Sequence, residues 1–98
     1  MMDENSDEYV IYNGEKIFVK EGWLELPYQV KSLGEIKGLE DLQSLKYLAY
    51  SGPYINKIES LETITHLEEL YFNWGGIKKI ENFEGLKNLR VLDLNANY

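Results

Sequence analysis

A single histidine, His66, stands between Thr65 and Leu67 in this 98-residue chain. A lone imidazole with no nucleophile or metal-ligand partner at a diagnostic spacing is no basis for acid–base catalysis. With no cysteine present, thiolate chemistry, disulfides and thiolate zinc sites are excluded. Carboxylates are plentiful, but Glu59, Glu62, Glu68, Glu69, Glu81 and Glu84 fall between apolar residues, the pattern of a solvated face. A calcium cage would need a dense loop such as D-x-D-x-D-G, and none occurs. Lys78-Lys79 is too short a basic run to track phosphates. Gly75-Gly76 reads as a turn signal, not a phosphate cradle. No phosphate-binding loop, G-x-S-x-G or H-E-x-x-H motif is present. The chain is therefore expected to be non-enzymatic, with no catalytic, cofactor-binding or metal-ligating residue and no cofactor.

Ten basic and 17 acidic residues give a net charge of −7. That balance argues against nucleic acid or an anionic membrane as partner, since both require clustered Lys and Arg. Asp3, Glu4, Asp7 and Glu8 put four acids and no base into the first eight residues, so residues 1–8 are expected to be a solvated, disordered tail. No apolar run approaches the roughly 18–20 residues of a membrane span, and the acidic N-terminus is unlike a targeting signal. A cytoplasmic setting is the default expectation. The length allows one small domain at most.

The elements that position these residues emerge from an internal repeat. Every third residue from Leu33 is apolar: Leu33, Ile36, Leu39, Leu42, Leu45, Leu48. The series returns 22 residues later as Ile55, Ile58, Leu61, Ile64, Leu67, Leu70, and 22 later again as Ile77, Ile80, Phe83, Leu86, Leu89, Leu92. At 44% hydrophobic content, agreement by chance is on the order of 10⁻⁶, so the periodicity is a signal. A helix alternates steps of three and four. A strict step of three suits a 3₁₀-like path. The step then becomes two at Leu48–Tyr50, Leu70–Phe72 and Leu92–Leu94, the period of a strand. Each unit is thus a short strand, a turn and an extended or 3₁₀ return. Stacked units align their strands in parallel and bury their leucines against one another.

The spacing divides the chain into units 26–47, 48–69 and 70–91, with 92–98 opening a fourth. The first unit is the loosest, because Pro27 separates Leu26 from Tyr28 and proline cannot donate to a ladder. Upstream, Tyr9–Tyr12 and Glu15–Val19 flank Asn13-Gly14, the strongest short hairpin signal. Residues 9–25 are accordingly predicted to form an antiparallel cap, with Trp23 packed at its junction with the first repeat.

Leu89-Arg90-Val91-Leu92-Asp93-Leu94-Asn95-Ala96-Asn97, Leu67–Phe72 and Leu45–Tyr50 resemble the leucine-rich-repeat pattern L-x-x-L-x-L-x-x-N-x-(I/L). The length of 22 looks like the subclass of protein phosphatase 1 regulatory subunits, dynein light chains and internalins. The resemblance spans residues 26–98. It implies an α/β-type solenoid, mainly β with 3₁₀ turns: a right-handed superhelix with a short parallel sheet. One feature departs from the family. The asparagine that satisfies each post-strand turn survives only as Asn97; Pro53 and Gly75 stand in its place, leaving those turns to Gly and Pro conformations.

The resemblance also implies protein binding through the concave, strand-lined face. Candidate partner-binding residues there are Tyr47, Ser51, Glu69, Tyr71, Asn73, Trp74, Asp93 and Asn95, since Tyr and Trp are effective anchors. The alternative is a structural piece that self-associates. The frame stops at Tyr98 with no covering element, so Leu86, Leu89, Val91, Leu92 and Leu94 form an open edge. Either the chain is a fragment of a longer repeat array or a two-fold homodimer closes that edge.

Overall fold

The computed structural model describes residues 8–73, 76–78, 81 and 83–94. Strands β1 (Tyr9–Tyr12) and β2 (Glu15–Phe18) form an antiparallel hairpin, in register from Tyr9↔Phe18 to Tyr12↔Glu15. Asn13 and Gly14 close it at φ 55° and 82°, the two positive angles of a type I′ turn. A second tight turn follows at Glu21 and Gly22, across which Lys20 and Trp23 exchange two N–H···O bonds of 2.9 Å. The chain thereby enters a four-stranded parallel sheet in the order β3 (Trp23–Leu26), β4 (Tyr47–Ser51), β5 (Glu69–Asn73) and β6 (Val91–Asp93).

The expected boundary between cap and repeats moves at this point. Trp23–Leu26 belongs to the sheet, pairing Leu24 with Leu48 and Leu26 with Tyr50. The first strand was expected around Leu26 and Tyr28; instead it ends at Leu26, and Tyr28 is exposed. Pro27 is the physical reason. Sliding the strand upstream leaves proline in the following turn, where its carbonyl accepts from Val30 N at 3.2 Å and its missing N–H costs no ladder bond. The first unit spans 24 residues from Leu24 to its partner Leu48, whereas Leu48, Leu70 and Leu92 pair at steps of 22.

The step-of-three series builds the return path. In each unit the N–H of one apolar residue donates to the carbonyl of the previous one: Ile36 to Leu33, Leu42 to Leu39, Ile64 to Leu61, Leu67 to Ile64, Leu86 to Phe83 and Leu89 to Leu86, at 3.0–3.3 Å. Two of these turns are regular 3₁₀ segments, Leu33–Glu35 and Leu39–Asp41. Among the described residues there is no α-helix.

Stacking is stitched at the strand entries, where one carbonyl accepts two N–H groups of the next turn. Gly22 O takes Lys46 and Tyr47, Lys46 O takes Glu68 and Glu69, and Glu68 O takes Arg90 and Val91, all at 2.8–3.1 Å. Thr63 Oγ1 donates to Glu40 O at 2.8 Å and Asn88 Nδ2 to Thr65 O at 2.7 Å, linking successive return paths. The core between sheet and return path is built mainly of aliphatic side chains: Leu33, Leu39, Leu45, Leu48, Ile55, Leu67 and Leu70 are all fully buried.

The hairpin closes the first turn. Val10 and Val19 enter the core, and Ile11 exchanges two 2.9 Å backbone bonds with Lys37. Glu8 corrects the reading of residues 1–8 as a solvated tail. Its carboxylate accepts from the N–H groups of Gln43 (2.9 and 3.1 Å) and Ser44 (2.9 Å) and from the Ser44 hydroxyl (2.6 Å). The tail residues before it lie outside the described residues.

Candidate docking face

Strand alternation sends every second side chain away from the core. The outward set is Trp23 and Glu25 on β3, Tyr47, Ala49 and Ser51 on β4, Glu69, Tyr71 and Asn73 on β5, and Val91 and Asp93 on β6. Of the residues singled out from the repeat pattern, Tyr47, Ser51, Glu69, Tyr71, Asn73 and Asp93 therefore share this face. Trp74 and Asn95 lie outside the described residues.

Three aromatic rings gather on it from neighbouring strands. Trp23 lies 4.8 Å from Tyr47 and 6.0 Å from Tyr71, centroid to centroid, nearly parallel to the latter at 16°. Trp23 remains 44% exposed, so the indole caps the cluster without being enclosed. It was expected at a cap junction; the sheet register puts it directly beside Tyr47 instead. The signal was present in Trp23-Leu24-Glu25-Leu26, an outward/inward alternation just before Pro27, but a fixed period of 22 steps past it.

Glu69 organises the far end of the cluster. One carboxylate oxygen accepts a short hydrogen bond from the Tyr71 hydroxyl, and the other accepts from Arg90 Nη2 at 2.6 Å. Arg90 Nε also lies 3.6 Å from Glu68. The Tyr71 phenol is pushed above its ordinary pKa of 10.0, first by that bond to Glu69, then by desolvation and the nearby negative charge. A phenol that stays protonated is a fixed donor, which holds the ring in place. Asn73 Oδ1, at the strand's end, is buried with no hydrogen-bond partner among the described residues.

On the inner side, Tyr50 occupies a core position on β4 and is 1% exposed. Its hydroxyl donates toward Val30 O (2.9 Å) and Tyr28 O (3.1 Å) and accepts from Tyr54 N (3.2 Å). The turn that lacks the repeat asparagine at Pro53 was expected to rely on Gly and Pro conformations; the phenol takes over the missing amide's work of satisfying backbone groups. Gly52 makes room for it, since a Cβ there would lie 2.6 Å from the Tyr50 oxygen and 2.8 Å from Tyr28 O. The corresponding turn at Gly75, and Asn97, lie outside the described residues.

The candidate self-association edge divides in two. Leu86 is buried, and Leu89 and Leu94 pack partly against the core. Val91 is half-buried. Leu92 is 37% exposed, whereas its ladder partners Leu48 and Leu70 are at 0%.

His66 is exposed on the return path. No group of three or more His, Asp or Glu side chains is placed to hold a metal among the described residues. A concavity lined by Glu21, Gly22, Ser44 and Lys46 contains one hydroxyl, and Ser44 has committed it to Glu8. None of the described helices is long and apolar enough to cross a membrane.

A parallel sheet backed by a return path of three-residue period defines a β-solenoid of stacked turns. The family model for leucine rich repeats, in its two-copy form, matches residues 65–98, and the solenoid is consistent with a fold of that type. No curated protein and no solved structure matches it.

Proposed function

We propose that the chain is a protein-interaction module that docks another polypeptide on the outer face of its parallel sheet. The observation that carries this reading is the partly exposed ring cluster of Trp23, Tyr47 and Tyr71, assembled from three adjacent strands. Aromatic side chains held by neighbours lose little entropy on binding, which makes them effective anchors. Leucine-rich-repeat solenoids are suited to this role because side chains from successive turns form one continuous surface. The test is selection of 12-residue peptides from a random library on the immobilised chain. Tyr47→Ala and Tyr71→Ala should each weaken the selected peptides by about tenfold or more, as loss of an anchor does. Unchanged affinity in both variants would refute the reading.

Exposed Leu92 supports a second reading, self-association through β6. A two-fold pairing of that edge would cover Leu92 and Val91 in each copy. Sedimentation at micromolar concentration should then give a dimer that Leu92→Ser converts to monomer; a monomer before substitution excludes it.

A further inference from the structure

We infer that the occupant of this face is a segment bearing arginine side chains, which stack on the Trp23–Tyr47–Tyr71 rings and pair with the Glu25 carboxylate beside them. The inference rests on the docking role proposed above and adds the chemistry of the partner. Charge segregation is the first support. The outward strand positions hold the acids Glu25, Glu69 and Asp93 and no base. The described Lys and Arg residues lie elsewhere: in the N-terminal segment around the hairpin, on the return paths, or just before a strand as Lys46 and Arg90 do. Arg90 already pairs with Glu69 from the rim, which leaves Glu25 as the exposed acid beside the π faces, a combination that selects a cation.

The second support is the behaviour of the chain's own guanidinium. Arg90 reaches from the rim to Glu69, which at the same time takes the Tyr71 hydroxyl. An incoming arginine would reproduce this pairing of carboxylate and planar cation at Glu25. Glu25 is exposed, sits one alternation from Trp23, pairs in register with Ala49, and has no ion pair among the described residues. Arginine fits better than lysine, because a planar guanidinium both stacks on a ring and forks to a carboxylate. Across the four strands the face measures about 14 Å, at about 4.8 Å between strands. An extended peptide places same-side residues about 6.8 Å apart, so two of its side chains span the cluster.

The experiment titrates the full chain with ten-residue peptides of alternating Arg-Ser, Lys-Ser and Glu-Ser. The heat of binding by calorimetry is the readout. The Arg-Ser peptide should bind, the Lys-Ser peptide several-fold more weakly and the Glu-Ser peptide not at all, with affinity falling as salt rises. Glu25→Gln should weaken the Arg-Ser peptide by about three- to tenfold, the effect of one charge-assisted contact. Tyr47→Leu, which keeps a large apolar side chain, should weaken it by about tenfold through loss of the ring. Equal binding of the Arg-Ser and Glu-Ser peptides, or indifference to Glu25→Gln, overturns the inference. If neutral library peptides bind in a Tyr47-dependent way while the Arg-Ser peptide does not, the arginine preference falls and the docking role stands. If no bound peptide responds to Tyr47→Leu, both fall.

Discussion

Tyr50 does at one position what the family assigns to a repeated asparagine. Its hydroxyl lies inside the core, where an unmade hydrogen bond is costly, and it joins the turn after β4 to the turn after β3. Tyr50→Phe keeps the packing but leaves Val30 O and Tyr54 N without this partner. Unfolding by urea should show a loss of about 1–3 kcal/mol. Gly52→Ala attacks the same contact from outside, with a loss of about 1–3 kcal/mol through overpacking. The double variant should lose less than the sum, because both changes disable one hydroxyl; strict additivity would show that Tyr50 and Gly52 act independently.

At the scale of elements, the hairpin is held to the first turn by its backbone bonds to Lys37, by Val10 and Val19 in the core, and by Glu8. Desolvation raises the pKa of the Glu8 carboxyl, but the Ser44 hydroxyl and the Gln43 and Ser44 N–H groups together outweigh it, and the net shift is below the ordinary 4.5. A carboxyl whose folded pKa is depressed stabilises the fold fully above its unfolded pKa and loses that contribution as pH falls through the folded one. Stability of the wild-type chain should therefore drop on acidification below pH 4.5. Glu8→Gln, which lacks the charge, should be less stable at neutral pH and show a shallower acid decline. Thermal unfolding from pH 7 to pH 3 measures both slopes, and parallel curves would remove Glu8 from the account. The hairpin was legible from Asn13-Gly14 because a type I′ turn is a local event. Glu8 was not, because its partners lie 35 and 36 residues away.

Across the whole molecule, the position of a leucine in the stack decides its weight. Leu70 has β4 on one side and β6 on the other and is fully buried. Leu92 holds the same place in the repeat but is 37% exposed. Leu70→Ala should cost about 2–5 kcal/mol, enough to unfold a domain with the usual narrow margin. Leu92→Ala should cost less than about 1 kcal/mol, and exposed His66→Ala less than about 0.5 kcal/mol, as surface changes do. Urea unfolding of the three variants tests the order; equal losses at Leu70 and Leu92 would mean that the last turn is as enclosed as the middle one.

The three-residue spacing of Leu33–Leu48 and its return at 22-residue intervals were enough to place the core, the return path and the strands at Leu48, Leu70 and Leu92, because burial periodicity is written into residue type. The same alternation identified Tyr47, Glu69, Tyr71 and Asp93 as one outward set. Tertiary structure alone decided the rest. Whether the first strand contained Leu26 and Tyr28 or Trp23 and Leu24 depended on which register kept Pro27 out of the ladder, a contest between two pairings that a fixed period cannot judge. The stacking of Trp23 against Tyr47 and Tyr71, the bond from Tyr71 to Glu69 and the reach of Tyr50 to Val30 follow from that register. They join side chains from different turns, and no single repeat contains the geometry that brings them together.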